Sequence, residues 1–343
     1  MSSLELTQAL ADAFRDALDG IVITDEQAVI REVNPAYEQI CGYSREELVG
    51  QPASVLKSGK TPPERYRQLW DQLLSEGRWT GELLNRKKSG EEWWSFLSIT
   101  RLADAQGRAL GYFGVARDVT RARQTARELE RELAELHSVQ DVSITALAKL
   151  AEHRDPDIEG HLARIKRYCE LMVRALEGQF PELSPGYGEA VVAGSVLHDV
   201  GKVAVPEGIL FKPGRLSPEE FSVMKLHSLV GGKVLGEAEV ELRRRMEVSE
   251  TFLSRALEIA MYHHEKWDGT GYPAGLSREA IPLSARIVAV ADVYDALTSR
   301  RVYKDAWSRE AAREELERGA GQHFDSRVVA AFLQEEARAQ EAE

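Results

Sequence analysis

Apolar residues in the first 120 positions recur first with a helical period and then with the period of a strand. Leu6, Leu10 and Phe14 follow one another at steps of four, which predicts an amphipathic helix over residues 4–18. Further on, alternating apolar and polar residues between turn-forming residues predict short strands. These strands cover residues 20–25, 29–34, 79–86, 92–102 and 110–118, with a helix over 64–76. Hairpin-type turns join the last three strands, so the pattern indicates an α+β domain with an antiparallel sheet and flanking helices.

A heptad repeat follows the last strand. Its apolar positions recur at alternating steps of four and three, with charged residues between them. The positions of this seam are Ala122, Ala126, Leu129, Leu133, Leu136, Gln140, Ser143, Leu147 and Leu150. The repeat predicts a helix and favours a parallel two-stranded coiled coil, and hence a homodimer. One amphipathic helix that packs on its own domain is the alternative.

From residue 144 onward the apolar pattern is helical almost throughout. Glycine- and proline-containing loops separate the helical runs, as expected for an all-α domain. The runs cover residues 161–176, 189–198, 218–230, 252–264, 283–298 and 326–336. We therefore predict an α+β domain over 1–120, a coiled-coil helix over 121–143 and an all-α domain over 144–343.

Composition narrows the classes of function. The chain has 44 Lys plus Arg against 56 Asp plus Glu, a net charge of −12. This excess of negative charge argues against a partner such as a DNA or RNA duplex, or an anionic membrane. Cys41 and Cys169 are too few and too far apart for a disulfide-stapled or zinc-finger fold. Without a signal-peptide pattern or an apolar run of about 20 residues, we expect a cytoplasmic protein.

Histidine and aspartate are concentrated at the ends of apolar helical runs in the second half. His198-Asp199 and His263-His264 are adjacent pairs of this kind, and all eight histidines lie between His137 and His323. Asp292 lies inside an apolar helix, where a buried carboxylate costs several kcal/mol unless it is paired or bound to metal. Imidazole and carboxylate ligands without cysteine suit iron, manganese, zinc, nickel or cobalt. Their number implies two or more ions, as in the two-metal sites that displace phosphoryl groups.

Five motifs in this half resemble the HD-GYP family, a subgroup of the HD-domain phosphohydrolases that cleaves cyclic di-GMP. They are His198-Asp199-Val-Gly-Lys202, Lys212-Pro-Gly214, His227, the run from His263 to Pro273, and the run from Asp292 to Ser299. The resemblance covers about residues 141–337. It implies an all-α HD-type domain that binds two or three divalent metal ions. Iron or manganese is the expected metal.

The resemblance also implies roles for single residues. The implied metal ligands are His161, His198, Asp199, His227, His263, His264 and Asp292, with Asp199 bridging two ions. Asp157 stands where members with a third metal site carry a glutamate, so it is a candidate ligand for a third ion. Asp199 and Lys202 are the implied catalytic residues, and Lys202, Arg301 and Lys304 the implied phosphate contacts. The loop Gly271-Tyr272-Pro273 is expected to shape the site where the substrate enters.

The implied activity is hydrolysis of cyclic di-GMP to pGpG, and further to GMP, by a hydroxide activated by several metal ions. Two other hypotheses for the function of this domain remain. The domain could be a degenerate module that binds a nucleotide or a protein without turnover. It could also hydrolyse another cyclic dinucleotide, such as cyclic GMP-AMP.

The first domain resembles PAS sensor domains through motifs in a characteristic order. These include Asn34-Pro35-Ala-Tyr37, Gly42-Tyr43-Ser44 and Arg117-Asp118-Val119-Thr120. A histidine-ligated haem is not expected there, because this domain contains no histidine. The run 58–88 is similar to PAS domains that hold FAD, and also to PAS domains without a known ligand. The resemblance implies a sensor-regulated enzyme, with a parallel homodimer formed through the PAS domain and the coiled coil.

Overall fold

A computed structural model describes residues 2–151, 158–299 and 306–341 of the chain. The chain divides into two compact units, Met1–Ala134 and Glu135–Glu343. Within the described ranges, no helix has both the length and the apolar character needed to cross a membrane.

The first unit is built on one five-stranded sheet. Its elements, with the helix that follows them, are α1 (Ser3–Asp16), β1 (Gly20–Thr24), β2 (Ile30–Val33), α2 (Pro35–Cys41), α3 (Arg45–Leu48), α4 (Pro63–Glu76), β3 (Arg78–Arg86), β4 (Glu92–Ala103), β5 (Ala109–Asp118) and α5 (Thr120–Ala151). The strand order is β2-β1-β5-β4-β3, and every neighbouring pair is antiparallel. The predicted α+β domain with an antiparallel sheet and flanking helices is confirmed.

Asn34 ties three elements of this unit together. Its side chain accepts hydrogen bonds from the amides of Tyr37, at the start of α2, and Ile21, in β1, at 3.0 and 2.7 Å. The Asn34 amide group donates in turn to the carbonyl of Asp19, just before β1. Asparagine is favoured at this N-cap because its side chain satisfies backbone groups that a helix end leaves open. The residue is fully buried, so these bonds also fix where α2 packs on the sheet.

The second unit is helical, as predicted. After the end of α5, its helices are α6 (Ile158–Leu176), α7 (Pro185–Ser195), α8 (Glu207–Leu210), α9 (Pro218–Met224), α10 (Leu226–Met246), α11 (Phe252–Tyr262), α12 (Leu283–Thr298), α13 (Arg309–Gly319) and α14 (Ser326–Glu341). Helix α12 contacts α6, α11, α13 and α14, and is buried along most of its length. This position explains why most of its residues are apolar.

One predicted helix is wrong in its bounds. The run 218–230 is two helices, because α9 ends at Met224 and α10 begins at Leu226. Helix α10 then continues to Met246, where the apolar pattern predicted no helix. Its buried face is made partly of glycine: Gly231 packs near Gly201, and a Cβ at Gly232 would come within 2.4 Å of the Met261 side chain. Buried glycines do not appear in an apolar pattern, so the pattern does not predict a helix that packs through them.

Helix α5 is continuous from Thr120 to Ala151. In the second unit, its residues Ile144 and Ala148 are buried in a cluster with Leu162, Val196 and Ala256. Leucines of the predicted heptad seam are exposed in each unit taken by itself. They are Leu129, Leu133, Leu136, Leu147 and Leu150. The dimer that the seam predicts stays a prediction.

Candidate metal centre

Two groups of imidazole and carboxylate side chains lie next to each other in the second unit. The first, here called the Asp199 group, contains Asp199, His227, His263 and His264. The second, called the His161 group, contains His161, His198 and Asp292. Within each group, one donor atom of every residue lies within 4.8 Å of the others.

The carboxylate of Asp199 joins the two groups. Its Oδ1 lies 3.4 Å from His227 Nε2 and 3.8 Å from His263 Nε2. Its Oδ2 lies 3.3 Å from His198 Nε2, and that nitrogen is 3.9 Å from Asp292 Oδ1. One oxygen of Asp199 therefore faces each group, as in a carboxylate that bridges two cations.

A close backbone approach brings Asp199 to His227. After α7 ends, the chain passes through His198 and Asp199 into the 3₁₀ turn Val200–Ala204. Gly201 in that turn lies against α10, and a Cβ at this position would come 1.9 Å from the His227 carbonyl oxygen. Only glycine fits here, so the His-Asp-Val-Gly sequence sets the position of the carboxylate as well as its identity.

Backbone carbonyls orient three of the imidazole rings. The Nδ1 atoms of His198, His227 and His263 lie 2.9, 2.7 and 2.9 Å from the carbonyl oxygens of Ser195, Met224 and Ile259. A carbonyl can only accept a hydrogen bond, so Nδ1 carries the proton and Nε2 keeps its lone pair. Metal-ligating histidines are fixed in this way by an outer partner.

The donor atoms fit divalent cations. In the described part of the chain, Asp199 Oδ1, His227 Nε2 and His263 Nε2 are buried atoms without a hydrogen-bond partner. Such a buried polar atom costs about 1–3 kcal/mol when nothing satisfies it. Two ligand atoms about 2.1 Å from one cation lie roughly 3.0–3.4 Å apart, close to the shorter separations around Asp199.

The surroundings keep these residues in the charge states that bind cations. Burial lowers the pKa of His263 to about 4 and also lowers the pKa of His227 and of His264. Burial by itself would raise the pKa of Asp199, but the Lys202 ammonium brings it well below its usual range. Neutral imidazoles beside an ionised carboxylate are the forms in which both residue types bind metal.

The loop that carries Gly271, Tyr272 and Pro273 borders the Asp199 group. The Tyr272 ring lies 4.7 Å from the His264 ring, measured between centroids, and its amide donates to the His264 carbonyl. At Gly271 a Cβ would come 2.3 Å from the Lys266 amide nitrogen, so the loop can fold back this tightly only with glycine.

The described members of the predicted ligand set all lie in the two groups. Lys202 lies at the same place, and its ammonium donates to Asp199 Oδ2. Asp157, Arg301 and Lys304 lie outside the described residues.

Sequence reasoning missed two buried carboxylates that support the site. Asp295 Oδ2 lies 2.7 Å from His161 Nδ1, and the Arg164 guanidinium donates to the same carboxylate. The oxygens of Glu265 accept the amides of Ala274 and Leu276, at 2.7 and 3.0 Å. Asp295 was recognisable from its position one helical turn after Asp292, on the same face of α12. Glu265 lies inside the motif that runs from His263 to Pro273, but the sequence gives no sign that its side chain is buried.

Comparison with known proteins assigns both units. Residues 145–328 match the HD domain family, and residues 18–121 match the PAS domain family. The chain belongs to the HD domain family. The predicted order, a PAS domain followed by an HD domain of the HD-GYP type, is confirmed.

Two curated relatives and one solved structure illustrate the similarity. A cyclic di-GMP phosphodiesterase of Vibrio cholerae is 47% identical over 61% of this chain and 42% of its own length. A 3′3′-cGAMP-specific phosphodiesterase 2 of the same organism is 42% identical over 55% of this chain and 33% of its own length. The PAS domain of a protein from Colwellia psychrerythraea is 28% identical over 34% of this chain and 98% of its own, with a TM-score of 0.33. The chain spans less than half the length of these two curated relatives.

Proposed function

We propose that this protein is a metal-dependent phosphodiesterase that hydrolyses cyclic di-GMP to pGpG, and further to GMP. The observation that carries the proposal is the carboxylate of Asp199, with one oxygen facing each of two adjacent groups of metal-ligand side chains. Such a pair of sites suits the displacement of a phosphoester oxygen. The similarity to a curated cyclic di-GMP phosphodiesterase supports the choice of substrate.

Each group of ligands has a separate part in the proposal. His161, His198 and Asp292 would hold one divalent ion, and His227, His263 and His264 would hold another. Asp199 lies between the two groups and would be a ligand of each. Iron or manganese suits this set of imidazole and carboxylate donors, and Asp157 is the proposed ligand of a third ion. Bound divalent ions supply an activated water and neutralise charge on the phosphoryl group.

The chain's own cations complement the phosphates. Lys202 lies beside Asp199 and is only partly exposed, with 28% of its side chain accessible, so its charge acts in a partly desolvated site. We assign Lys202, Arg301 and Lys304 to contacts with phosphate oxygens. The loop of Gly271, Tyr272 and Pro273 lines the entrance through which the dinucleotide reaches the site.

Cyclic GMP-AMP is the second candidate substrate, because a relative of similar identity carries that specificity in its name. A module that binds without turnover is the third candidate. The test uses metal-loaded protein prepared without oxygen and compares cyclic di-GMP, cyclic GMP-AMP and cyclic di-AMP by chromatography of the products. We expect pGpG and GMP from cyclic di-GMP; a chain that binds the nucleotide and forms no product would contradict the proposal.

We propose that the PAS domain over 1–120 regulates the enzyme domain over 144–343 through the helix over 121–143. The exposed seam leucines support a parallel homodimer, which light scattering of the full chain would detect as twice the chain mass. The cytoplasmic location stays a prediction.

FAD is a candidate ligand of the PAS domain, and a PAS domain without a bound ligand is the alternative. In that unit, as far as the structure describes it, Thr24 Oγ1, Trp93 Nε1 and Ser95 Oγ are buried atoms without a hydrogen-bond partner. A polar ligand in the core would satisfy them. A flavin absorption band in the visible spectrum of freshly purified protein would support this ligand. A colourless protein that binds no added FAD would contradict it.

A further inference from the structure

A lysine and two aromatic rings form a small cluster at the border of the Asp199 group. Phe221 belongs to α9, Lys225 lies between α9 and α10, and Tyr272 belongs to the loop after α11. The Phe221 and Tyr272 rings are 6.2 Å apart and nearly perpendicular. The Lys225 ammonium lies 4.8 Å from the centre of the Phe221 ring and 5.4 Å from that of Tyr272.

The three side chains are open to a ligand. Phe221 is 44% exposed, which is unusual for a large apolar ring unless a partner covers it. Lys225 is half-buried, and across the described ranges no carboxylate pairs with its ammonium. A cation whose described contacts are aromatic faces keeps its hydrogen-bond donors available for a ligand.

The cluster lies beside the side chains of the metal centre. Tyr272 separates it from the ligands, with its ring 4.7 Å from His264 and 6.5 Å from His227. Lys202, not Lys225, is the described lysine that contacts the Asp199 carboxylate. With Lys202 at the metal ligands, Lys225 is available to another part of the nucleotide, and the aromatic rings beside it favour the base.

We propose that Phe221, Lys225 and Tyr272 form a guanine-binding subsite, an inference that rests on the proposed function and extends it to base specificity. The base stacks on the exposed Phe221 ring, as bases do on aromatic side chains in nucleic-acid-binding proteins. The Lys225 ammonium donates to O6 and N7 of guanine. Adenine carries an amino donor in place of O6, so it loses that bond and faces the ammonium with a second donor.

The test measures binding of GMP and AMP to the metal-loaded full chain by titration calorimetry. Wild-type protein is expected to bind GMP about tenfold more tightly than AMP, or about 1.4 kcal/mol. Lys225→Met removes the charge and keeps the aliphatic stem, so GMP affinity should fall about tenfold while AMP affinity stays the same. Lys233→Met, which removes an exposed lysine of α10, is the matched control and should change neither affinity.

A second variant examines stacking. Phe221→Leu keeps an apolar side chain and removes the ring, so the affinities for GMP and AMP should fall together, by about tenfold. In turnover of cyclic di-GMP, Lys225→Met should raise KM about tenfold and leave kcat within twofold.

Two results would overturn the subsite. If Lys225→Met weakens GMP and AMP equally, the lysine contacts phosphate; if it weakens neither, the lysine contacts no nucleotide. Failure of the proposed function gives a different result. In that case no cyclic dinucleotide is hydrolysed, whereas the Lys225-dependent preference for GMP over AMP remains.

Discussion

At the scale of single residues, Asp295 determines how His161 presents its ring. The carboxylate is 1% exposed, lies 2.7 Å from His161 Nδ1 and also accepts hydrogen bonds from Arg164. With Nδ1 engaged, His161 Nε2 is the atom left for the His161 group. A carboxylate in this place also makes the imidazole more basic, and therefore a better ligand.

We predict that Asp295→Asn lowers metal affinity by about 10- to 100-fold, since an amide carries no charge and holds the ring less firmly. Metal titration of the apo-protein measures this, and excess Mn²⁺ should restore most of kcat. Asp141→Asn removes a half-exposed carboxylate of α5 and is the control. Equal metal affinity in the two variants would show that Asp295 does not position His161.

Glu265 organises the loop that carries Tyr272. It is 2% exposed and accepts two loop amides, so it fixes the course of residues 269–276 without reaching the ligands itself. We predict that Glu265→Gln, which puts an amino group against one of those amides, raises KM about tenfold and leaves metal content unchanged. Steady-state kinetics with metal analysis checks this against Glu279→Gln, an exposed control. Loss of metal with unchanged KM would contradict a role in the loop.

At the scale of elements, the site depends on how closely the 3₁₀ turn Val200–Ala204 approaches α10. Gly201→Ala would place a Cβ 1.9 Å from the His227 carbonyl oxygen, so the turn must move and Asp199 with it. We expect a loss of about 1–3 kcal/mol in the free energy of unfolding, together with loss of metal binding.

Gly208→Ala is the matched control for that variant, because a Cβ at Gly208 meets no atom within 4 Å. Urea unfolding and metal analysis of both variants give the comparison. If Gly201→Ala behaves like Gly208→Ala, close approach of the turn does not determine the site.

Apolar patterns predicted some of these elements and missed others. Helix α12 and the three-strand run β3–β5 were predictable because their buried residues follow a clear period. Helix α13 was missed, since Ala312 and Leu316 are its buried residues and two positions make too weak a stripe. The ligand set came from a family resemblance, while Asp295 and Glu265 required the tertiary structure, because burial and hydrogen-bond partners are not properties of local sequence.

At the scale of the whole molecule, the proposed substrate is an anion, whereas the chain has a net charge of −12. The described site holds Lys202 beside Asp199, and bound divalent ions would add further positive charge. Stability of the second unit depends on buried charge as well. Arg286 and Asp325 are 6% and 2% exposed, and the guanidinium donates to Asp325 Oδ2 at 2.8 Å.

We predict that this ion pair stabilises the fold at neutral pH and that its contribution is lost in acid. Burial raises the pKa of Asp325, but hydrogen bonds from Arg327 and Arg286 outweigh burial and leave that pKa below its ordinary value. A carboxyl with a lowered folded-state pKa stabilises the fold above its unfolded pKa, and the contribution is lost as pH falls through the folded-state pKa.

Asp325→Ala strands a buried guanidinium and should cost about 3–5 kcal/mol at neutral pH. Denaturant unfolding at neutral pH and at successively lower pH measures the change. The difference from wild type should shrink once the pH is below about 3.9, where the carboxyl protonates in the unfolded chain. A difference that stays constant through the acid range would contradict the assignment.

If Asp199 joins two metal sites, removal of the charge on its carboxylate should weaken metal binding at both. Asp199→Asn keeps the size of the side chain and removes its charge. Metal content per chain and hydrolysis of cyclic di-GMP are measured for both proteins after loading with Mn²⁺ or Fe²⁺ without oxygen. We predict at least two ions per chain and turnover in the wild type, with metal loss and a fall in kcat of more than about 100-fold in the variant. A variant that keeps two ions and wild-type turnover would show that Asp199 does not join two metal sites.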